Sequence, residues 1–239
     1  MTTLYGDLAT WWPLLSAVED YEEEAAFFAD LLLKSGARKD ASLLELGSGG
    51  GNNAFHMKRS FGSMTLTDLS AGMLGVSRVL NPDCEHLEGD MRTLRLERQF
   101  DVVFVHDAVE YMTTAADLRQ ALTTAWTHCI PRGCALFVPD HVRETFEPYT
   151  SHGGHDGDGR GLRYLEWVYD PDPDDTECIV EYVCVLREDG KATRVEIEQH
   201  RCGVFPRATW LGLLREIGFE PEIVTDNFER ELFLARRPA

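Results

Sequence analysis

The chain has 239 residues, 44% of them apolar, enough for one large domain or one domain carrying an insertion. Its 23 basic and 41 acidic residues leave a net charge of −18, which argues against nucleic acid or an anionic membrane as the main partner, since both require a basic surface. No apolar run reaches the roughly 20 residues that cross a bilayer; with no signal-peptide pattern and no Cys-x-x-Cys, a cytoplasmic chain with reduced thiols is expected.

Ser16 and Glu19 form a capping box, predicting a helix that carries Val18, Tyr21, Ala25, Phe28 and Leu32 and closes at Gly36. Ser42–Leu46 is a short apolar strand that breaks into the glycine loop 47–51. That loop opens a helix over Asn52–Arg59. Met64–Thr67 is the next strand, ending at Asp68. Ser70 caps a helix with Met73, Leu74, Val76 and Val79, stopped by Asn81-Pro82. Cys84–Leu87 is a weak strand. Phe100–Val105 is unbroken in its apolar character, as suits a strand buried on both faces. Thr114 with Asp117 starts a helix that Pro131 ends, and Ala135–Val138 is a further strand. Strands and helices alternating in this way make right-handed βαβ units and a parallel sheet.

The rhythm then changes. Residues 144–161 are rich in Gly, His and Asp and read as a loop. Leu162–Tyr169, Cys178–Arg187 and Thr193–Cys202 follow as three strands, the last two joined by a turn at Asp189-Gly190. Pro206 begins a helix closed by Gly218. Pro221–Thr225 and Glu231–Ala235 finish the chain as a close pair of strands.

The loop Leu43-Leu-Glu-Leu-Gly-Ser-Gly-Gly-Gly51 admits two registers. Gly49-x-Gly51-x-x-Ala54 satisfies a dinucleotide pattern and implies an NAD-dependent oxidoreductase. In the other register, Glu45 stands on the strand two residues before Gly47, with Gly49 and Gly51 following. There the chain resembles the class I S-adenosylmethionine-dependent methyltransferases. Five further stretches match in order: Thr67-Asp68-Leu69-Ser70 with Met73; Gly89-Asp90-Met91; Phe100-Asp-Val-Val103 through Glu110-Tyr111-Met112; Pro131-Arg-Gly133; and the closing Gly218-Phe219 with the final two strands.

The resemblance implies a doubly wound, Rossmann-like, mostly parallel seven-stranded sheet with a C-terminal antiparallel hairpin. Residues 1–143 and 203–239 would form the cofactor-binding core, and 144–202 an antiparallel β insertion that caps the substrate or joins two subunits. It assigns S-adenosylmethionine as cofactor and S-adenosylhomocysteine as product. Gly47, Gly49 and Gly51 allow close approach of the ligand to bare backbone. Glu45 accepts from loop N–H groups and the cofactor's α-amino group. Asp68 accepts from the ribose hydroxyls, with Leu69 and Met73 beside it. Asp90 takes the adenine amine, and the Met91 N–H points at the ring. Tyr5, Trp12 and Tyr21 belong to an N-terminal lid whose aromatic faces suit a sulfonium.

The acceptor site is expected beyond the carboxyl ends of the strands. His106 and Asp107 follow one strand; Asp140 and His141 follow another. His152 and His155 lie in the loop beyond. His106, Asp107 and His141 are the candidate catalytic residues, with a base needed only for a hydroxyl acceptor. A metal site is not expected, because no ligand spacing is visible among His141, His152, His155, Asp156 and Asp158. The insertion is similar in placement to that of methyltransferases acting on small metabolites and amino sugars, including sugar N,N-dimethyltransferases. The partner implied is a small-molecule methyl acceptor, methylated on nitrogen or oxygen. A catalytically silent cofactor-binding domain is the alternative of a different class.

Overall fold

Two strands with hardly a polar side chain facing out set the centre of the molecule. In the computed structural model, which describes residues 3–239, they lie side by side with Leu43 opposite Val102 and Leu44 opposite Val103. Around them the chain runs α1 (Trp12–Leu15), α2 (Glu22–Lys34), β1 (Ser42–Leu46), α3 (Asn52–Met57), β2 (Ser63–Asp68), α4 (Ala71–Leu80), β3 (Glu85–Glu88), β4 (Phe100–Val105), α5 (Ala115–His128) and β5 (Cys129–Phe137). Next come β6 (Tyr149–Gly153), β7 (Asp156–Gly157), β8 (Arg160–Tyr169), β9 (Glu177–Glu188), β10 (Arg194–Gly203), α6 (Arg207–Ile217), β11 (Glu220–Thr225) and β12 (Glu231–Arg236).

The larger sheet has the order β11-β12-β5-β4-β1-β2-β3, parallel except for β12, which runs antiparallel to both β5 and β11. This is the doubly wound sheet with a reversed hairpin that the alternating pattern implies. One face packs on α5 and α6 through Leu118, Leu122, Trp210 and Leu214; the other packs on α2 and α3 through Phe28, Leu32, Ala54 and Met57. Trp210 stacks on Phe233 with centroids 4.7 Å apart and ties α6 to β12. Burial of such a side chain contributes about 1.5–3 kcal/mol.

The second sheet has the order β10-β9-β8-β6, antiparallel throughout, with β7 paired to β8. Its inner face carries Val168, Cys178, Val180 and Cys202. Trp11 and Leu14 of the N-terminal segment join Leu162 and Leu186 in a small apolar cluster, so this sheet and the N-terminal segment share packing.

Three expectations give way. Ser16 and Glu19 do not cap α2: Ser16 is extended, its hydroxyl pairs with Tyr21 Oη at 2.8 Å, and a 3-10 turn over Val18–Tyr21 intervenes. The helix starts instead on Glu22, Glu23 and Glu24, whose charges suit its N-terminal dipole. Residues 144–161 are not all loop, since β6 and β7 pair with β8 through backbone groups that even glycine supplies. Nor does Pro131 end α5, which stops at His128; Pro131 lies inside β5, where a register shift between Phe100 and Val102 absorbs it.

Candidate active site

The carboxyl ends of β1, β2 and β4 open onto a cavity of about 350 Å3, and the glycine loop forms its floor. The loop is held from β2: Gly47 N and Ser48 N both donate to Thr67 O at 2.8 Å. Asp68 completes the hold, Oδ2 accepting from Gly49 N at 2.9 Å and Oδ1 from Ser70 N at 2.7 Å. Gly47 has φ +73°, and a Cβ there would meet Ala108 Cβ at 2.4 Å, so only glycine lets the loop and the turn after β4 approach this closely.

Glu45 is 2% exposed, and its Oε2 has no hydrogen-bond partner. Burial pushes its carboxyl up to about 8, with Asp107 and Asp68 adding to the rise and His106 opposing it. Burial also raises Asp68, against the N–H groups of Ser70 and Gly49. Asp90 is held below the usual carboxylate range by the Arg92 guanidinium at 2.6 Å, and Arg92 reaches on to Asp117 at 3.3 Å. Met91 reaches in beside Gly47.

Aromatic side chains wall the cavity. Tyr5, Trp12, Tyr21 and Tyr111 line it together with Leu69 and Met73. Trp12 stands against the glycine loop, where a Cβ on Gly50 would fall 2.4 Å from its ring, and its buried Nε1 has no partner. Ser70, which caps α4 through Met73 N, also donates its hydroxyl to Tyr5 O, so the N-terminal segment is pinned to the start of α4.

His106 enters from the end of β4, buried against Phe28, Phe104 and Tyr21. Its Nδ1 lies 3.3 Å from Asp107 Oδ1 and its Nε2 3.3 Å from Glu24 Oε1. Burial works to lower the imidazole's pKa, but the two carboxylates outweigh it and hold the ring protonated well above its ordinary value. The same pairing draws Asp107 down despite its own desolvation. Glu24 in turn receives Arg230 Nη2 at 2.7 Å.

Of the residues expected to bind the cofactor all but Gly51 line this one cavity, and His106 and Asp107 share it. Gly51 turns away from it, packed against Ser77 and Asn81 of α4 and its C-terminus. His141 does not. It lines a neighbouring cavity with Asp20, Glu24, Asp140, Tyr149, Phe228 and Arg230. Glu110 fixes that corner, its Oε1 accepting from Asp140 N at 2.8 Å and His141 N at 3.2 Å. His155 lies beside Asp20 at 3.4 Å, and His152 sits on β6 opposite Leu165. Among the described residues no group of three or more His, Cys, Asp or Glu is placed to hold a metal ion. Sequence reasoning missed Glu24, Arg92 and Arg230, which carry no local motif. It also missed His200, which lies on β10 and reaches the cavity through Tyr111.

The cavity fits S-adenosylmethionine. A buried acceptor without a partner, a second carboxylate and open glycine backbone face one cavity, as an ammonium, a ribose and a closely approaching ligand edge require. The family described as "Methyltransferase domain" matches residues 43–133. The dTDP-3-amino-3,6-dideoxy-alpha-D-glucopyranose N,N-dimethyltransferase of Streptomyces fradiae is 30% identical over 223 residues, 86% of this chain and 80% of that one. The crystal structure of DesVI from Streptomyces venezuelae superposes with a TM-score of 0.82 at 28% identity, covering 92% of each chain. The amino pentose methyltransferase from Micromonospora echinaspora, solved with S-adenosylmethionine bound, gives a TM-score of 0.78 at 24% identity over 91% of each chain. This chain belongs to the class I S-adenosylmethionine-dependent methyltransferases and is an enzyme. Membership selects the glycine-loop register that begins at Glu45 and removes the dinucleotide reading. Among the described residues, no helix is long and apolar enough to cross a membrane.

Proposed function

We propose that the protein is a cytoplasmic enzyme that methylates the amino nitrogen of a small metabolite. A nucleotide-linked amino sugar is the acceptor class carried by the Streptomyces fradiae relative's name. The observation that carries nitrogen over oxygen is the half-exposed carboxylate of Asp107 on the cavity lining, backed by Glu24 beyond His106. Nitrogen becomes positively charged as it takes the methyl group, and acidic side chains stabilise that charge. A hydroxyl acceptor would need a base; the imidazole held protonated between two carboxylates has no lone pair to offer, and Asp107, drawn down by that imidazole, is a weak one.

When bound, the cofactor supplies an electrophilic methyl on a sulfonium. The protein's task is positioning. Glu45 holds the cofactor's ammonium, Asp68 the ribose, and Asp90 with Met91 the adenine. Gly47 and Gly49 would admit its edge against bare backbone, and Leu69 and Met73 would pack beside it. Tyr5, Trp12 and Tyr21 wall the cavity against water and would offer aromatic faces to a sulfonium. Asp107 would accept an N–H of the acceptor and so orient the nitrogen lone pair for transfer, the methylated ammonium then losing its proton to solvent. His106 holds Asp107, and His141 contacts the acceptor in the adjoining cavity. The insertion 144–202 caps the acceptor, and its outer apolar face meets a second copy of the chain.

Incubation with methyl-labelled S-adenosylmethionine and a dTDP-linked 3-amino sugar is the test. Sequential mono- and dimethylated products are expected, with none from the 3-hydroxy analogue. Methylation of the hydroxy sugar alone would overturn the nitrogen assignment.

A further inference from the structure

A hydrogen-bonded chain runs from the inserted sheet into the cavity. Tyr111, in the 3-10 turn that follows β4, places its hydroxyl 2.6 Å from His200 Nδ1 on β10 and 2.8 Å from Tyr5 Oη in the lid. Both tyrosines line the cavity. His200 is 2% exposed, packed edge-on against Tyr5 at 5.6 Å and Tyr182 at 5.4 Å. Glu198 lies two residues back on the same face of the strand. Its Oε2 accepts from Leu4 N at 2.8 Å, and its Oε1 lies 3.6 Å from His200 Nε2, which is buried and has no hydrogen-bond partner.

Each link has one proton to give. Burial raises both tyrosines far above their ordinary pKa and lowers that of His200, so the three groups are neutral together. Such a chain has only two arrangements, set by which imidazole nitrogen carries hydrogen. Glu198 decides between them, since a carboxylate only 16% exposed and 3.6 Å from Nε2 favours an N–H there over a lone pair. The other groups facing the ring are Tyr182 and Glu166, which accepts from Tyr182 Oη at 2.6 Å and adds negative potential. With hydrogen on Nε2, Nδ1 accepts from Tyr111, and Tyr111 accepts from Tyr5. The proton of Tyr5 is then used, and its oxygen turns only lone pairs to the cavity.

We infer that Glu198, His200 and Tyr111 are positioning residues that fix Tyr5 as a hydrogen-bond acceptor toward the acceptor's amine. This rests on the proposed amine methylation. It matches an N–H of the incoming nitrogen and disfavours a carboxylate or carbonyl in its place.

Long-range proton–nitrogen NMR of the full chain labelled with 15N-histidine reads the tautomer directly, without and with S-adenosylhomocysteine. His200, assigned by loss of its signals in His200→Gln, is expected as the Nε2–H form near pH 7.5. An Nδ1–H form, or an imidazolium, would overturn the inference. In kinetics, Tyr111→Phe and His200→Leu should lower kcat about tenfold or more while S-adenosylhomocysteine affinity changes less than about threefold. His200→Gln, whose carbonyl accepts from Tyr111, should recover most of the loss. Cofactor affinity falling in step with kcat, with no recovery in the glutamine variant, would mean a plain structural latch. Failure of the wild type to bind S-adenosylhomocysteine would strike at the cofactor site, leaving the tautomer result intact.

Discussion

Asp68 Oδ2 accepts the backbone N–H of Gly49 at 2.9 Å, so the acid that ends β2 also fixes the glycine loop of β1. Its other oxygen is engaged by Ser70 N at 2.7 Å. Asp68→Ala therefore removes the proposed ribose ligand and releases the loop together. Loss of charge-assisted bonds of this kind costs about 1.5–3 kcal/mol, or roughly 10- to 150-fold in affinity for S-adenosylhomocysteine by calorimetry. Unchanged affinity would mean that the ribose lies elsewhere.

Glu45 yields a prediction in pH. Its folded carboxyl titrates near 8, far above an unfolded glutamate near 4.3. A raised acid stabilises the fold fully below the unfolded value, and that contribution is lost as pH rises through the folded one. The ligand-free protein should thus lose thermal stability between about pH 5 and pH 8, and Glu45→Gln should lose less. Cofactor affinity runs the other way. The cofactor's ammonium requires the carboxylate form, so binding of S-adenosylhomocysteine should tighten up to about pH 8 and then level off. Calorimetry on Glu45→Gln should find weaker binding with a flat profile; a wild-type profile already flat from pH 6 to 9 would contradict this role.

What the sequence made legible was local. The glycine loop, the acid after β2 and the unbroken apolar run of β4 each announce themselves within a few residues, because backbone geometry and burial act at that range. Ser70 and Thr114 were readable as caps for the same reason, and both accept the expected N–H. The cluster of Glu24, His106 and Arg230 was not readable. It joins α2, the end of β4 and the hairpin before β12, and only the fold brings them together. The strand β6 escaped because Tyr149–Gly153 pairs through backbone hydrogen bonds that polar and glycine residues make as well as any. Ser16 misled because its hydroxyl found Tyr21 instead of a helix N–H.

Asp107 and His106 separate catalysis from stability. Asp107→Asn removes the charge beside the acceptor and leaves the cofactor's own contacts in place. Turnover should fall about 10- to 100-fold with little change in S-adenosylhomocysteine affinity. His106→Gln instead removes the cation between Glu24 and Asp107, leaving Glu24 its Arg230 partner but Asp107 none, and should lower Tm at neutral pH. The sign at high pH follows from the raised imidazole pKa: its stabilisation is complete below about pH 6.5 and fades as pH climbs through the folded value. The Tm gap between wild type and His106→Gln should therefore narrow on the alkaline side; a gap that widens there would reverse the assignment of charge.

The outer face of the inserted sheet carries the last prediction. Ile197, Val183 and Leu165 stand in one cross-strand row, with Val195 and Val185 in the next but one and Trp167 at the edge. Ile197 is 72% exposed, Val195 56% and Trp167 53%, a contiguous apolar surface on a chain that otherwise carries a net charge of −18. Such a patch marks an interaction surface. A second copy would cover it, the antiparallel face meeting its own image about a twofold axis. Light scattering should give about twice the 27.0 kDa chain mass. Ile197→Asp together with Trp167→Ser should give the single mass with S-adenosylhomocysteine binding retained, since neither residue lines the cofactor cavity. A wild type that stays at the single mass at high micromolar concentration would rule out this pairing.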